Sequence, residues 1–168
     1  WNIYRLSANV NIVIWGRNAA GCQSFQQQYS DTDYHIRIAP SVQHLAKACK
    51  TIITATATRQ PLLHTDDLLP GTHITAIGSD TPEKQELASD ILAKADRVVV
   101  DSRAQCRHRG EWYQANKQIE MDKSKVCELG QLIQSPTMGR SNNNMLTIAD
   151  LTGVAVQDIM IATGVLGY

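Results

Sequence analysis

The chain has 168 residues, enough for one ordinary domain with its own core. Its 16 basic and 16 acidic residues cancel, which removes the electrostatic footprint of a nucleic-acid or acidic-surface binder. No apolar run approaches the ~20 residues of a membrane span, so no membrane partner is expected. The four cysteines (Cys22, Cys49, Cys106, Cys127) are scattered, with no C-x-x-C pair, and predict reduced thiols in a cytoplasmic protein without a metal. Trp1-Asn2-Ile3-Tyr4-Arg5 goes straight into mixed polarity, so no secretory leader is expected.

In chain order, Trp1 to Ala8 reads as the last turns of a helix, with Ile3, Leu6 and Val10 three and four apart. Asn11 to Trp15 is an apolar strand ending in Gly16-Arg17-Asn18, and a helix follows with Cys22, Phe25 and Tyr29 on one face. Tyr34 to Ile38 alternates as a short strand. Ser41 is a candidate N-cap for a helix from Val42 to Cys49 whose buried side is Val42, Leu45 and Cys49. Thr51 to Thr54 is a strand breaking into Ala55-Thr56-Ala57-Thr58, and Pro61 to Leu69 is a loop with a helical turn.

The densest signal lies between Pro70 and Cys106. His73 to Ile77 is a β-branched strand that ends at Gly78-Ser79-Asp80. Thr81-Pro82 opens a helix, because proline suits a first turn whose N–H has no internal partner. Leu87, Ile91 and Ala95 recur at steps of four as its buried face. Arg97 to Asp101 follows with Val98, Val99 and Val100 unbroken, the pattern of a strand covered on both faces.

Beyond Cys106 the pattern weakens. Glu111 to Met121 carries Trp112 and Tyr113 without a firm period, and Ser124 to Gln134 reads as helical. Ser135 to Asn144 is a loop and Leu146 to Ala149 a last strand. Gly153 to Val165 is a helix with Val154, Ile159, Ala162 and Val165 toward a core.

Strands alternating with helices predict a doubly wound parallel α/β sheet, whose carboxyl edge is where ligands sit. The first strand of a dinucleotide-binding sheet, with its Gly-rich turn, has no match here, since Gly16 follows what reads as the second strand. With strand 1 supplied the order would be 3-2-1-4-5-6; without it, strands 2 and 3 stand apart from strands 4 to 6. Each buried backbone group left unpaired there costs ~1–3 kcal/mol, so this chain reads as a piece of a longer protein.

Four segments in order, PGTHITAIGSDTPEKQEL, RVVVDSRAQC, CELGQLI and DLTGVAVQDIMIA, resemble the ornithine cyclodeaminase and μ-crystallin family. The resemblance implies a Rossmann nucleotide-binding domain over 1–150, here partial. Residues 151–168 would then return toward a substrate and dimerisation domain. It also implies a homodimer, a small amino acid or cyclic imine as substrate, and a nicotinamide cofactor. The expected activity is nicotinamide-dependent deaminating cyclisation of L-ornithine or a related amino acid to proline and ammonia. The alternatives are an NADPH-dependent ketimine reductase or amino-acid dehydrogenase, and a non-catalytic NADP(H)-binding protein.

Site residues follow from strand ends and resemblance together. Arg17, beside Asn18, stands where a carboxylate would bind a ribose 2′-OH; a guanidinium suits a 2′-phosphate, favouring NADP(H) with NAD(H) second. Thr54, Ala55, Thr56 and Ala57 form a small-residue turn that the family runs beside the nucleotide. Gly78 and Ser79 continue that edge. Asp80, in a G-x-D-x-P segment, resembles the family aspartate assigned acid/base work, and reads equally as a helix cap. Lys84 matches a family lysine near the cofactor, or is a solvated lysine; Val154 matches a loop near the nicotinamide, or is core. Asp101, Ser102 and Gln105 read as a structural turn, and the five histidines as structural. Arg17, Thr56 and Asp80 are expected to share one nucleotide.

Overall fold

The computed structural model describes residues 10–167, which form two compact units dividing between Cys49 and Lys50. The expected helix tail at Trp1 to Ala8 lies outside the described residues.

In the first unit, β1 (Asn11–Ile14) and β2 (His35–Ile38) pair in parallel with Ile14 opposite Ile38. Between them runs α1 (Ala19–Gln28), and α2 (Val42–Ala48) follows. The expected capping holds: Ser41 Oγ accepts His44 N–H at 3.2 Å. The buried residue of α2 is Ala46, while Val42, Leu45 and Cys49 are half-buried. On α1, Cys22 is half-buried and Phe25 is exposed, its ring 4.8 Å from that of Tyr29, the half-buried residue that ends the helix.

The second unit is a five-stranded parallel sheet built from β3 (Thr51–Thr54), β4 (His73–Ala76), β5 (Arg97–Val100), β6 (Val126–Glu128) and β7 (Thr147–Asp150). The spatial order is β3-β4-β7-β5-β6. Strands 4, 5 and 6 of the expected order are therefore not consecutive: β7 lies between β4 and β5, with Ile148 opposite both Ile74 and Val98. Val98, Val100, Ile74 and Ile148 are fully buried, as apolar strands under helices require. The helices are α3 (Ser89–Lys94), α4 (Glu111–Asn116), α5 (Leu129–Gln134) and α6 (Ala155–Leu166).

Three expected elements differ. Thr81-Pro82 opens no helix, because the N–H groups that a helix would bond internally are taken elsewhere. Gln85 N donates to Thr58 O, Glu86 and Leu87 N to the Glu111 carboxylate, and Ala88 N to Leu63 O. The helix starts at Ser89, although Leu87, Ile91 and Ala95 are all fully buried as expected. Within the stretch read as one helix from Ser124 to Gln134, Val126–Glu128 pairs with β5 as an edge strand, and α5 begins only at Leu129. Helix α6 buries no residue: Ile159 is 61% and Val165 74% exposed, so the expected core-facing side meets no core among the described residues. No helix of the described residues is long and apolar enough to cross a membrane.

Candidate nucleotide-binding edge

Because all five strands are parallel, their carboxyl ends collect at one edge, where the backbone polar groups of the outgoing turns must find partners. At the ends of β3 and β4 that partner is Glu86, which has no exposed surface. Its carboxylate accepts Thr54 Oγ1 at 2.7 Å, Thr56 N at 2.5 Å, Thr56 Oγ1 at 2.7 Å and Gly78 N at 2.9 Å. The two turns pass so closely that a Cβ on Gly78 would stand 2.2 Å from Thr56 O and 2.6 Å from Glu86 Cδ. Only glycine fits there.

Behind Glu86 stand two further buried acids. Glu111 accepts the N–H groups of Glu86 and Leu87, and Asp150, at the end of β7, accepts those of Glu111 and Trp112 at 3.0 and 2.8 Å. Burial pushes the Glu111 carboxyl up to about 8 and that of Asp150 to about 7, against the pull of those backbone donors. Gly110, at φ +92°, lets the chain enter α4 directly over Asp150, whose Oδ2 lies 2.8 Å from where a Cβ would be. None of these three acids stands out in the sequence. Glu86 sits between a polar run and Leu87, a position that reads as the solvent side of a helix.

The turn after β5 is bonded within the protein. Asp101 Oδ1 accepts Ser102 N and Thr152 Oγ1, and Gln105 Nε2 donates to Thr152 Oγ1 and Gly153 O, tying down the loop that enters α6. Cys106 lies under this turn with its thiol pushed up to about 12, chiefly by burial.

In the second unit, Thr54 is buried and Thr56 half-buried, with both hydroxyls bonded to Glu86, so what this turn offers outward is its backbone and the exposed methyls of Ala55 and Ala57. Ser79 is buried and donates to Lys84 O at 2.6 Å. Asp80 is no helix cap, since no helix begins there; it lies on the exposed loop, paired with Lys84 Nζ at 2.5 Å. That bond, more than anything else, holds the Asp80 carboxyl below its ordinary range. Lys84 is accordingly a loop residue, not a helical one. Val154 is half-buried at the N-terminal boundary of α6.

In the first unit, Arg17 is exposed and lines an open pocket of about 390 Å³ with Trp15, Asn18, Cys22 and Phe25. Asn18 Oδ1 accepts Gly21 N at 3.2 Å as the cap of α1. A second pocket, of about 320 Å³ between Arg103, Arg107, Trp112 and Lys123, contains none of the expected site residues. Of the histidines, His73 bridges Thr147 and Thr75, and His44 bonds Ser41.

The model of the ornithine cyclodeaminase/mu-crystallin family matches residues 3–167. The chain belongs to that family. An uncharacterised cyclodeaminase of Sinorhizobium fredii is 34% identical over 89% of this chain and 46% of its own length. A solved archaeal alanine dehydrogenase dimer with bound NAD superposes with TM-score 0.82 at 30% identity, over 92% of this chain and 48% of that one. The iminosuccinate reductase of Paracoccus denitrificans, in complex with NAD+, gives TM-score 0.85 at 27% identity, over 94% and 48%. The chain thus has the Rossmann-like α/β fold of the family's NAD-binding domain. It spans about half the length of the curated relatives it matches. The family includes both cyclodeaminases and nicotinamide-dependent dehydrogenases and reductases.

Proposed function

We propose that this chain is the nucleotide-binding part of an enzyme that moves hydride at the amine-bearing carbon of a small amino acid or imine. Residues 1–150 form its partial Rossmann domain, and residues 151–168 lead toward a substrate and dimerisation domain. The observation that carries the reading is the strand-end edge at Gly78. Two strand-end turns pack there backbone to backbone over the Glu86 carboxylate, next to an ionisable Asp80 that is open to solvent. Such an edge fits a nicotinamide nucleotide, which needs close approach to backbone at a strand end.

A bound nicotinamide would supply the hydride chemistry at the amine-bearing carbon. The Thr54–Ala57 turn and Gly78 would hold it through backbone groups. Arg17 supports a 2′-phosphate, and hence NADP(H), by charge-assisted bidentate bonding; the NAD bound in the two related structures supports NAD(H). Asp80 would take a proton from the substrate amine or from water at its carboxylate, with Lys84 keeping that carboxylate ionised and ready. The dimeric alanine dehydrogenase supports a homodimer for the intact protein.

Between reactions, we favour deaminating cyclisation of L-ornithine or a related amino acid to proline and ammonia. Asp80 and the cyclodeaminase relative support it. The second reading, reduction of a ketimine or dehydrogenation of an amino acid, is supported by the alanine dehydrogenase and iminosuccinate reductase likenesses. Incubating the intact protein with L-ornithine and catalytic NAD(P)+ separates them. Proline and ammonia without net change at 340 nm supports cyclisation, and NADPH oxidation with a cyclic imine supports reduction. Tight cofactor binding with no turnover on either overturns both.

A further inference from the structure

A carboxylate offers about four lone-pair sites, and Glu86 has four donors on it, from a side chain without exposed surface. All four belong to the turns where β3 and β4 leave the sheet. A buried acid that only filled space could be replaced by an apolar side chain of its volume. Here such a replacement would leave Thr56 N and Gly78 N aimed inward with no acceptor. The clamp is itself anchored: Glu111 holds the peptide N–H of Glu86, and Asp150 holds that of Glu111. A first contact surface supported by a bonded layer behind it keeps its geometry when a ligand arrives.

We infer that Glu86 is a positioning residue for the nicotinamide nucleotide, fixing the Thr54–Ala57 turn against Gly78–Asp80. It touches neither cofactor nor substrate; it sets the spacing of the backbone that does. The inference rests on the nicotinamide reading above.

The test uses the intact protein and its Glu86→Gln variant, which keeps the volume but places an amide NH2 where acceptors are needed. The dissociation constant for NADPH and NADH is read from nicotinamide fluorescence. The expected result is a rise of ~10-fold or more, the loss of one or two backbone hydrogen bonds to the nucleotide. At saturating cofactor the KM for the amino acid or imine stays within about twofold, a split that general loosening of the fold would not produce. Thr72→Val is the control, equally buried at the amino end of β4 and bonded to neither turn; it lowers stability and shifts the cofactor constant less than about threefold. If Glu86→Gln fails to fold, Thr54→Val removes one donor to the clamp, and a rise of roughly threefold or more supports the inference. Unchanged cofactor affinity in a folded Glu86→Gln protein overturns it, as does an equal loss in Thr72→Val. A wild-type protein that binds neither nucleotide overturns the nicotinamide reading itself, a separate outcome.

Discussion

Glu111 accepts the backbone N–H of Glu86 at 2.8 Å through Oε1 and that of Leu87 at 3.0 Å through Oε2, so the peptide carrying one buried acid hangs from another. Folded, Glu111 and Asp150 keep protons that the unfolded chain releases above the ordinary carboxyl values of 4.5 and 3.8. Their contribution to stability is therefore complete below those values and is lost as pH rises through about 7 for Asp150 and about 8 for Glu111. His73, held below its ordinary 6.5 chiefly by burial, acts in the opposite sense at lower pH. The clean window is pH 6.5 to 8, where each protonated acid lowers stability by about 1.4 kcal/mol per unit. Urea midpoints should fall across that window in the wild type and fall less in Glu111→Gln; an unchanged slope in the variant would refute the assignment.

Gly78→Ala should cost about 1–3 kcal/mol, the range for overpacking, and weaken cofactor binding at the same time. Its added methyl meets the backbone oxygen of Thr56, which no rotamer change can move aside. The measurement is a denaturation midpoint together with a cofactor titration. A variant with wild-type stability would mean that the two turns are not held as closely as described.

Arg17→Ala should lower the preference for NADPH over NADH by ~10- to 100-fold, the loss of a charge-assisted contact worth about 1.5–3 kcal/mol. The quantity to follow is the ratio of kcat/KM for the two cofactors. An unaltered ratio would make Arg17 an ordinary solvated arginine.

Asp80→Asn should reduce kcat by ~100- to 10,000-fold, the usual contribution of a positioned base, with cofactor affinity kept. The wild-type rate should hold well into the acid range before falling, because Lys84 keeps the Asp80 carboxyl below its ordinary value. Full turnover in the asparagine variant would remove Asp80 from the chemistry and leave its pairing with Lys84 as a loop contact.

The strands were legible where residues were apolar on every position, as in Val98–Val100, or sharply bounded, as in Thr51–Thr54. The family was legible in four short segments. What stayed hidden was decided by contacts distant in sequence. Leu87, Ile91 and Ala95 keep helical spacing and are all buried, yet the backbone at Glu86 and Leu87 bonds to Glu111 instead of to its own turn. Glu86 was unreadable for the same reason, since its donors lie 8 to 32 positions away. On α6 the periodicity is real, but a stripe says only that a face is apolar, not what covers it.

The place of β7 between β4 and β5 has a consequence for how the second unit assembles. Thr147–Asp150 is made after both of the strands it joins, so β4 and β5 each present an open side until residue 147 has been synthesised. Joining partners some seventy positions apart, such as His73 and Thr147, is slow by loop-closure entropy. Until that wedge arrives, the nascent chain carries two bare parallel margins, each a template for a neighbouring copy, and a chaperone that shields them would act before residue 147 emerges.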